Sequence, residues 1–420
     1  MAVPLERAAL VGLALRRSKK HEAEHSMEEL AGLAEAAGAT VVLKMIQERP
    51  TPDPATFIGS GKLDELASEC TRFAADVVIF DNELTPAQLR HIEERVDRKV
   101  VDRTQLILDI FARRARTREG KWQVELAQLK YMLPRLAGSG TALSRLGGGI
   151  GTRGPGETKL ETDRRRIRQR IHAISQEIDS IRQRRRHSRA RRQKASVPLV
   201  ALVGYTNAGK TTLFNLLTHE SAEASDALFV TLDPLVRQVR IPDRRQLLLS
   251  DTVGFIERLP HTLVAAFRAT LEQVAEADLV LHVIDVSSPE RDRHIEAVRR
   301  VLDEVGAANV AMLDVFNKCD LIEAGEVERL ERLYPEALFI SALRNTGRSE
   351  MIDAIAEKLE LDTRRVVLEY DEASAEDREK IARVYRHARV VSHITTDGRV
   401  EIEADVPRRV LARVKTAGGR

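Results

Sequence analysis

A short motif in the second half of the sequence has the residue types needed to bind a nucleotide phosphate. Residues 204–211 (GYTNAGKT) match the pattern G-x-x-x-x-G-K-[ST] and directly follow an apolar run, residues 199–203. The glycines let backbone N–H groups turn towards phosphate oxygens, while Lys210 supplies a cation and Thr211 a hydroxyl for Mg²⁺. The sequence therefore predicts a phosphate-binding loop (P-loop) between a strand and a helix.

Three further motifs follow in order, each at the carboxyl end of a predicted strand. Residues 251–254 (DTVG) can hold Mg²⁺ through water and present an N–H group to a γ-phosphate. In residues 317–320 (NKCD), Asp320 can accept hydrogen bonds from N1–H and the 2-amino group of guanine, and residues 341–343 (SAL) can approach guanine O6. Ligands of open α/β sheets bind at the carboxyl ends of the strands, so the motifs predict one guanine-nucleotide site.

The joint pattern resembles the translation-factor-like class of P-loop GTPases. Lys210, Thr231 and Gly254 are the predicted catalytic residues, and Thr211, Thr231 and Asp251 are the predicted Mg²⁺ ligands. The predicted nucleotide-binding residues are Gly204, Asn207, Ala208, Gly209, Lys210, Thr211, Thr212, Asp251, Gly254, Asn317, Lys318, Asp320, Ser341, Ala342 and Leu343.

Three positions bear on the rate of hydrolysis. Thr231 lies between the P-loop and Asp251, as switch I requires, and its hydroxyl would complete the Mg²⁺ shell only when a γ-phosphate is present. Many similar GTPases have a water-orienting Gln after the switch II glycine, but this sequence has Phe255. We therefore expect slow intrinsic hydrolysis, completed by a partner or a cation. Asn207 could help to hold K⁺, as in some related GTPases, or could simply satisfy the loop backbone.

Positive charge is concentrated in one part of the chain. The formal net charge is +3, yet residues 164–194 contain 13 Lys and Arg against two acids, a local charge of +11 (13 − 2). A basic block of this kind favours a polyanionic partner, although it could also be the solvated face of a helix.

The basic block belongs to a predicted helical hairpin. The segment between its arms, residues 138–156, contains eight of the chain's 23 glycines and is either a linker or a loop that lies close against a partner. Apolar residues spaced by four and three define the arms. They are Trp122, Leu126, Leu129, Leu133 and Leu136 in the first arm, and Ile167, Ile171, Ile174, Ile178 and Ile181 in the second.

The remaining patterns predict an α/β fold. A P-loop GTPase domain with a mostly parallel sheet (197–360) is preceded by an α/β subdomain (1–103) and the two-helix hairpin (104–196), and followed by a small α+β domain (361–420). In the first subdomain, Ser26 and Thr85 are the predicted N-caps of two amphipathic helices.

Composition excludes several classes of protein. With 43% hydrophobic and 31% charged residues the chain can form folded cores, and its two cysteines exclude a disulfide scaffold. No apolar run is long enough for a membrane span. We expect a cytoplasmic protein that is a monomer in solution.

Six strings resemble the HflX family of ribosome-associated GTPases, in the same order and over roughly residues 8 to 360. They are FIGSGKLDEL (57–66), DNELTPAQL (81–89), VDRTQLILDIF (101–111), GTRGPGETKLETD (151–163), LFVTLDP (228–234) and DTVGFI (251–256). The resemblance implies binding to the large ribosomal subunit and splitting or rescue of stalled or idle ribosomes, notably under heat stress.

In that family the N-terminal region docks on ribosomal RNA and the glycine-rich loop reaches towards the peptidyl-transferase centre. When these family roles are transferred to the present sequence, the RNA-contact candidates are Arg145, Arg153, Lys159, Arg164, Arg165 and Arg166. The family also implies ATP binding by the N-terminal domain, but residues 59–62 (GSGK) lack P-loop spacing, and we favour a structural or RNA-contacting turn. The alternative function is a GTP-gated regulator of a protein partner without ribosome-splitting activity.

Overall fold

The computed structural model describes residues 5–15, 20–136, 155–195, 197–219, 228–229, 231–241, 245–257, 273–361 and 363–415. The chain forms two compact units. Of these residues, the first unit contains 5–15, 20–136, 155–182, 228–229 and 231–233, and the second contains 183–195, 197–219, 234–241, 245–257, 273–361 and 363–415. The predicted α/β class with mostly parallel sheets is confirmed, and the predicted domain boundaries stay a prediction.

The first unit is built on a parallel four-stranded sheet with the order β2-β1-β3-β4. Strand β3 is buried along its whole length, as expected where helices cover both faces of a parallel sheet. The elements are β1 (Glu6–Ala14), α1 (Lys20–Ala36), β2 (Ala39–Glu48), α2 (Ser60–Arg72), β3 (Val77–Phe80), α3 (Pro86–Val96), β4 (Lys99–Asp102), α4 (Arg103–Arg114), α5 (Arg118–Leu136) and α6 (Pro155–Ala195), of which the residues up to Arg182 belong to this unit.

One of the two predicted helix starts is wrong. Helix α1 begins at Lys20, so Ser26 lies inside the helix and is not its N-cap. The Ser26 hydroxyl is buried and donates to Asp81 Oδ2 over 2.6 Å. The cap at Thr85 is confirmed, because Thr85 Oγ1 accepts from Gln88 N and the Gln88 side chain accepts from Thr85 N.

The predicted helical hairpin is confirmed for the parts that the structure describes. Leu126 of α5 is buried with Ile174 and Ile178 of α6, and Trp122, Leu129 and Ile171 pack around them. Outside this contact, Arg170 Nε donates to Glu125 Oε1 over 2.6 Å. Residues 138–154 of the glycine-rich interval lie outside the described residues, and its last two residues begin α6.

The second unit contains a six-stranded sheet with the order β10-β9-β8-β5-β7-β6. All neighbouring strands are parallel except the pair β6 and β7. The elements are β5 (Leu199–Gly204), α7 (Lys210–Thr218), β6 (Leu235–Ile241), β7 (Arg245–Asp251), β8 (Leu279–Asp285), α8 (Arg291–Glu304), β9 (Met312–Asn317), α9 (Ala324–Leu333), β10 (Leu338–Phe339) and α10 (Arg348–Lys358).

The end of the second unit is the predicted small α+β structure. An antiparallel sheet has the order β11-β13-β12, and β12 and β13 form a hairpin turned at Asp397 and Gly398, both with positive φ. The elements are β11 (Thr363–Asp371), α11 (Ala375–His387), β12 (Arg389–Thr396), β13 (Arg399–Pro407) and α12 (Arg408–Val414). Among the helices of the described ranges, we find none with the length and hydropathy of a bilayer span.

Candidate functional site

The P-loop joins the end of β5 to the start of α7, as predicted. A Cβ atom on Gly204 would lie 2.2 Å from the carbonyl oxygen of Val283 on the neighbouring strand. Gly209 has a φ of +89°, and a Cβ atom there would lie 2.2 Å from Asn317 Nδ2. Both positions therefore require glycine, because the loop passes too close to its neighbours for any side chain.

Lys210 is almost fully enclosed by the loop that it follows. Its ammonium group donates to the backbone oxygens of Gly204 (3.1 Å) and Tyr205 (2.7 Å). Burial lowers the pKa of Lys210 to about 8, and the negative charge of Asp251 opposes this shift. The loop thus holds a desolvated cation on carbonyl groups that phosphate oxygens could replace as acceptors.

Thr211 and Asp251 form the predicted pair of metal-binding side chains. The Thr211 hydroxyl donates to Asp251 Oδ2 over 2.9 Å, and Asp251 is fully buried at the end of β7. A hydroxyl and a carboxylate are hard oxygen ligands of the kind that Mg²⁺ prefers, so the residues fit this ion. P-loop GTPase domains generally use Mg²⁺ with the nucleotide.

Switch II lies against the P-loop backbone. Thr206 N donates to Phe255 O over 2.7 Å, and Phe255 N donates to Gly204 O over 3.1 Å. A Cβ atom on Gly254 would meet Thr206 Cγ2 at 2.8 Å and Lys210 Nζ at 3.2 Å. The predicted switch glycine is therefore next to the P-loop lysine, while the Phe255 side chain is buried.

The predicted base-recognition residues are joined by short hydrogen bonds. Asn317 Nδ2 donates to Ala208 O, and Asn317 Oδ1 accepts from Ala342 N, both over 2.9 Å. Ser341 Oγ donates to Asp320 Oδ1 over 2.5 Å. The P-loop, the NKCD motif and the SAL motif therefore meet at one edge of the sheet.

Sequence reasoning missed two residues beside this site. Asp285, at the end of β8, pairs with Lys318 of the NKCD motif at 2.7 Å. Tyr205 stacks on His294 with ring centroids 3.8 Å apart, and its hydroxyl accepts from Glu257 N over 2.6 Å. The position of Asp285 at a strand end was a usable signal, but nothing in the sequence links Tyr205 to His294.

The other predicted site residues have varied environments. Leu343 is 77% exposed, Asn207 is exposed with a φ of 59°, and Thr212 is half-buried in the first turn of α7. Thr231 is half-buried and belongs to a segment assigned to the first unit. The catalytic, nucleotide-binding and metal-binding roles given to individual residues stay predictions.

The RNA-contact candidates are only partly described. Arg145 and Arg153 lie outside the described residues, as does the side chain of Lys159. On α6, Arg165 and Arg166 are exposed and Arg164 is half-buried. The described part of the predicted surface is thus accessible on a helix face.

Three family models match consecutive parts of the chain. They are described as GTP-binding GTPase N-terminal (residues 24–112), GTP-binding GTPase Middle Region (114–192) and 50S ribosome-binding GTPase (199–318). The fold and the site define a P-loop GTPase, an enzyme that hydrolyses GTP to GDP and phosphate.

The chain belongs to the GTPase HflX family. It is 49% identical to GTPase HflX of Caldanaerobacter subterraneus subsp. tengcongensis, with 84% of this chain and 81% of the relative covered. It is 43% identical to GTPase HflX of Lacrimispora saccharolytica, with 97% and 95% covered, and 45% identical to that of Escherichia coli, with 84% and 83% covered. A crystal structure of SsGBP with GDP is 27% identical, with a TM-score of 0.49 and 84% and 98% of the chains covered.

Proposed function

We propose that this protein is a GTP-dependent switch that binds the large ribosomal subunit and dissociates or rescues stalled or idle ribosomes under stress, in the cytoplasm. The observation that carries the proposal is a preassembled guanine-nucleotide site in the same chain as an arginine-rich helix with exposed arginines. The family model described as a 50S ribosome-binding GTPase supports the ribosomal partner.

The proposed nucleotide roles follow from the contacts. Lys210, already held against loop carbonyls, binds the β- and γ-phosphates, and the N–H of Gly254 beside it meets the γ-phosphate. Thr211 and Asp251 hold Mg²⁺, and Thr231 joins them when GTP is bound. When bound, this ion neutralises charge on the phosphate oxygens.

The base is recognised at the other end of the site. Asp320, oriented by Ser341, accepts from N1–H and the 2-amino group of guanine. Asn317 fixes the loop that carries Ala342 and Leu343, so that a backbone N–H can meet guanine O6. These hydrogen bonds exclude adenine, which lacks that pair of donors.

Slow intrinsic hydrolysis is part of the proposal. The buried phenyl ring of Phe255 cannot orient the attacking water. Contact with the ribosome therefore supplies a water-orienting group or orders the two switch segments. The exposed Asn207 in the P-loop is the proposed residue for a K⁺ ion that assists this step.

The RNA surface is proposed on α6 and the segment before it. Arg165 and Arg166 present exposed guanidinium groups, which bind phosphates largely without regard to base sequence. Each phosphate contact releases counterions, so binding through this surface should weaken steeply with salt.

The test is GTP hydrolysis by the full chain, alone and with large ribosomal subunits, at low and moderate salt. We expect a slow rate that the subunits raise several-fold and that salt returns to its basal value. A matched control is the variant R165E/R166E, which should keep the basal rate and lose the stimulation. A rate indifferent to subunits would keep the GTPase activity, contradict the ribosomal partner and favour the protein-partner alternative.

A further inference from the structure

The segment that carries Thr231 is packed with the N-terminal part of the chain. In sequence, residues 225–233 lie between α7 and β6 of the G domain. In the fold the described residues of this segment, 228–229 and 231–233, belong to the first unit, which also contains α1, α4 and α5.

Asp233 anchors one end of this segment at the corner between α4 and α5. Its Oδ2 accepts from the backbone N–H groups of Arg116 and Thr117, each over 2.8 Å. Its Oδ1 accepts from the Thr117 hydroxyl over 2.5 Å. The same hydroxyl accepts from Gly120 N over 3.0 Å, at the start of α5. A single carboxylate thus receives three hydrogen bonds from one corner of the first unit.

Phe229 anchors the other end. It is only 2% exposed, and its ring meets the ring of Phe111 on α4 edge to face, with centroids 4.7 Å apart and planes at 80°. Beside it, Leu228 Cδ1 lies 3.2 Å from where a Cβ atom of Gly32 on α1 would be. Phe229 also has a φ of 57°, a conformation rarely adopted by a bulky residue, which the surrounding packing must hold.

The corner is shaped to receive Asp233. A Cβ atom on Gly120 would lie 2.1 Å from Asp233 Oδ1 and 3.2 Å from Thr117 Oγ1. Any side chain at position 120 would therefore displace the carboxylate. By contrast, a Cβ atom on Gly61 of α2 would meet nothing within 4 Å.

We infer that Asp233 and Phe229 are positioning residues for Thr231, the proposed switch threonine. Each anchor is two residues from Thr231, so the Cα atom of Thr231 lies within about 7 Å of the Cα atoms of both. Because Asp233 and Phe229 are held in place, ordering Thr231 around a γ-phosphate costs less conformational entropy than it would in a free loop. The inference rests on the proposed role of Thr231 as the switch threonine.

The experiment compares the affinities of the full chain for GMPPNP, a non-hydrolysable GTP analogue, and for GDP, in Mg²⁺. The variants are D233A, which removes the carboxylate and its three hydrogen bonds, and G120A, which displaces the same carboxylate from outside the G domain. We expect both to lower the preference for the analogue over GDP by about tenfold, the range of a coupling between sites. GDP affinity should stay the same, because GDP offers no γ-phosphate to Thr231.

The matched control is G61A, an equivalent change in a helix with open space around it, which should leave both affinities unchanged. Thermal unfolding shows whether each variant is folded, and D233A alone tests the inference if G120A is unfolded. An equal loss of analogue and GDP affinity would mean general damage and overturn the inference.

The variant T231A separates this inference from the role on which it rests. If T231A loses the preference for the analogue and D233A and G120A keep it, Thr231 is the switch residue and the anchor has no role. If T231A keeps the preference, the assignment of Thr231 fails and the inference fails with it. Either outcome leaves the GTPase activity and the ribosomal proposal standing.

Discussion

The four-stranded and six-stranded sheets of this chain both place acidic residues at strand ends, but the surroundings of these residues differ. In the first unit, Asp102 ends β4 and is fully buried. It accepts from the Tyr131 hydroxyl (2.7 Å), Arg135 (3.0 Å) and the backbone N–H groups of Leu84 and Gln105. Four donors of its own unit surround this carboxylate, which leaves little capacity for a ligand.

The acids of the G domain have partners from the nucleotide-binding motifs instead. Asp251 accepts from the Thr211 hydroxyl, and Asp285, which also accepts from the N–H and hydroxyl of Ser287, pairs with Lys318. An acid at a strand end is therefore structural when donors of its own unit saturate it, and a candidate ligand when residues of a binding motif contact it.

Asp320→Asn should have the largest effect, and only on nucleotide selectivity. An amide in place of the carboxylate puts N–H₂ against the donors of guanine, so GTP affinity should fall by about 10³- to 10⁴-fold. Xanthosine triphosphate, which carries an oxygen in place of the 2-amino group, should gain affinity. Calorimetric titration with both nucleotides measures the two changes in affinity. Unchanged GTP affinity would contradict the assignment of Asp320.

Asp102→Ala should lower the stability of the fold and leave nucleotide binding unchanged. It leaves Arg135 and Tyr131 without their buried acceptor, so the free energy of unfolding should fall by about 3–5 kcal/mol. Urea titration monitored by circular dichroism gives this value. GTP affinity of the folded fraction should be unchanged, and a matching loss of affinity would show that the carboxylate serves the nucleotide site after all.

Lys210 should make nucleotide affinity depend on pH. Its pKa is lowered to about 8 from an ordinary value of 10.5. Between these values the unfolded chain binds the proton more strongly, so the nucleotide-free protein should gain stability as pH rises from about 8 to 10.5. Phosphate requires the charged ammonium, so affinity for GDP should fall above pH 8, by up to about tenfold per pH unit.

The control for this pH dependence is Lys210→Arg, because a guanidinium keeps its proton throughout that range. Titration of the guanine base is common to both proteins and cancels in the comparison. GDP affinities measured by fluorescence from neutral to alkaline pH should therefore diverge between the two. Parallel profiles would show that Lys210 is fully charged before the nucleotide arrives.

Ser26→Ala should have the smallest effect. It removes one buried hydrogen bond to Asp81, which Arg103 also contacts, so the expected loss is about 1–2 kcal/mol in the free energy of unfolding. The measurement is again urea titration, with GTP hydrolysis as the control. A loss of hydrolysis without a loss of stability would assign Ser26 and Asp81 to function.

The four nucleotide motifs could be predicted because each is short and adjacent to a strong strand signal. The cap at Thr85 was likewise readable, since its partner Gln88 is three residues away. Ser26 was misread because its partner, Asp81, is 55 residues distant and local spacing alone favoured a helix start. The anchor of Asp233 was not predictable, because it joins residues 116 positions apart through backbone N–H groups, which have no sequence signature.

The two hydrogen bonds of Asn317 have a consequence for the kinetics of nucleotide exchange. The Asn317 side chain donates to Ala208 O of the P-loop and accepts from Ala342 N. The part of the site that binds the base is therefore assembled before any nucleotide arrives. Association then needs no ordering of this part, and dissociation does not have to wait for it to come apart. We expect GDP to leave and GTP to enter without an exchange factor, so that the cellular ratio of the two nucleotides sets which form of the protein prevails.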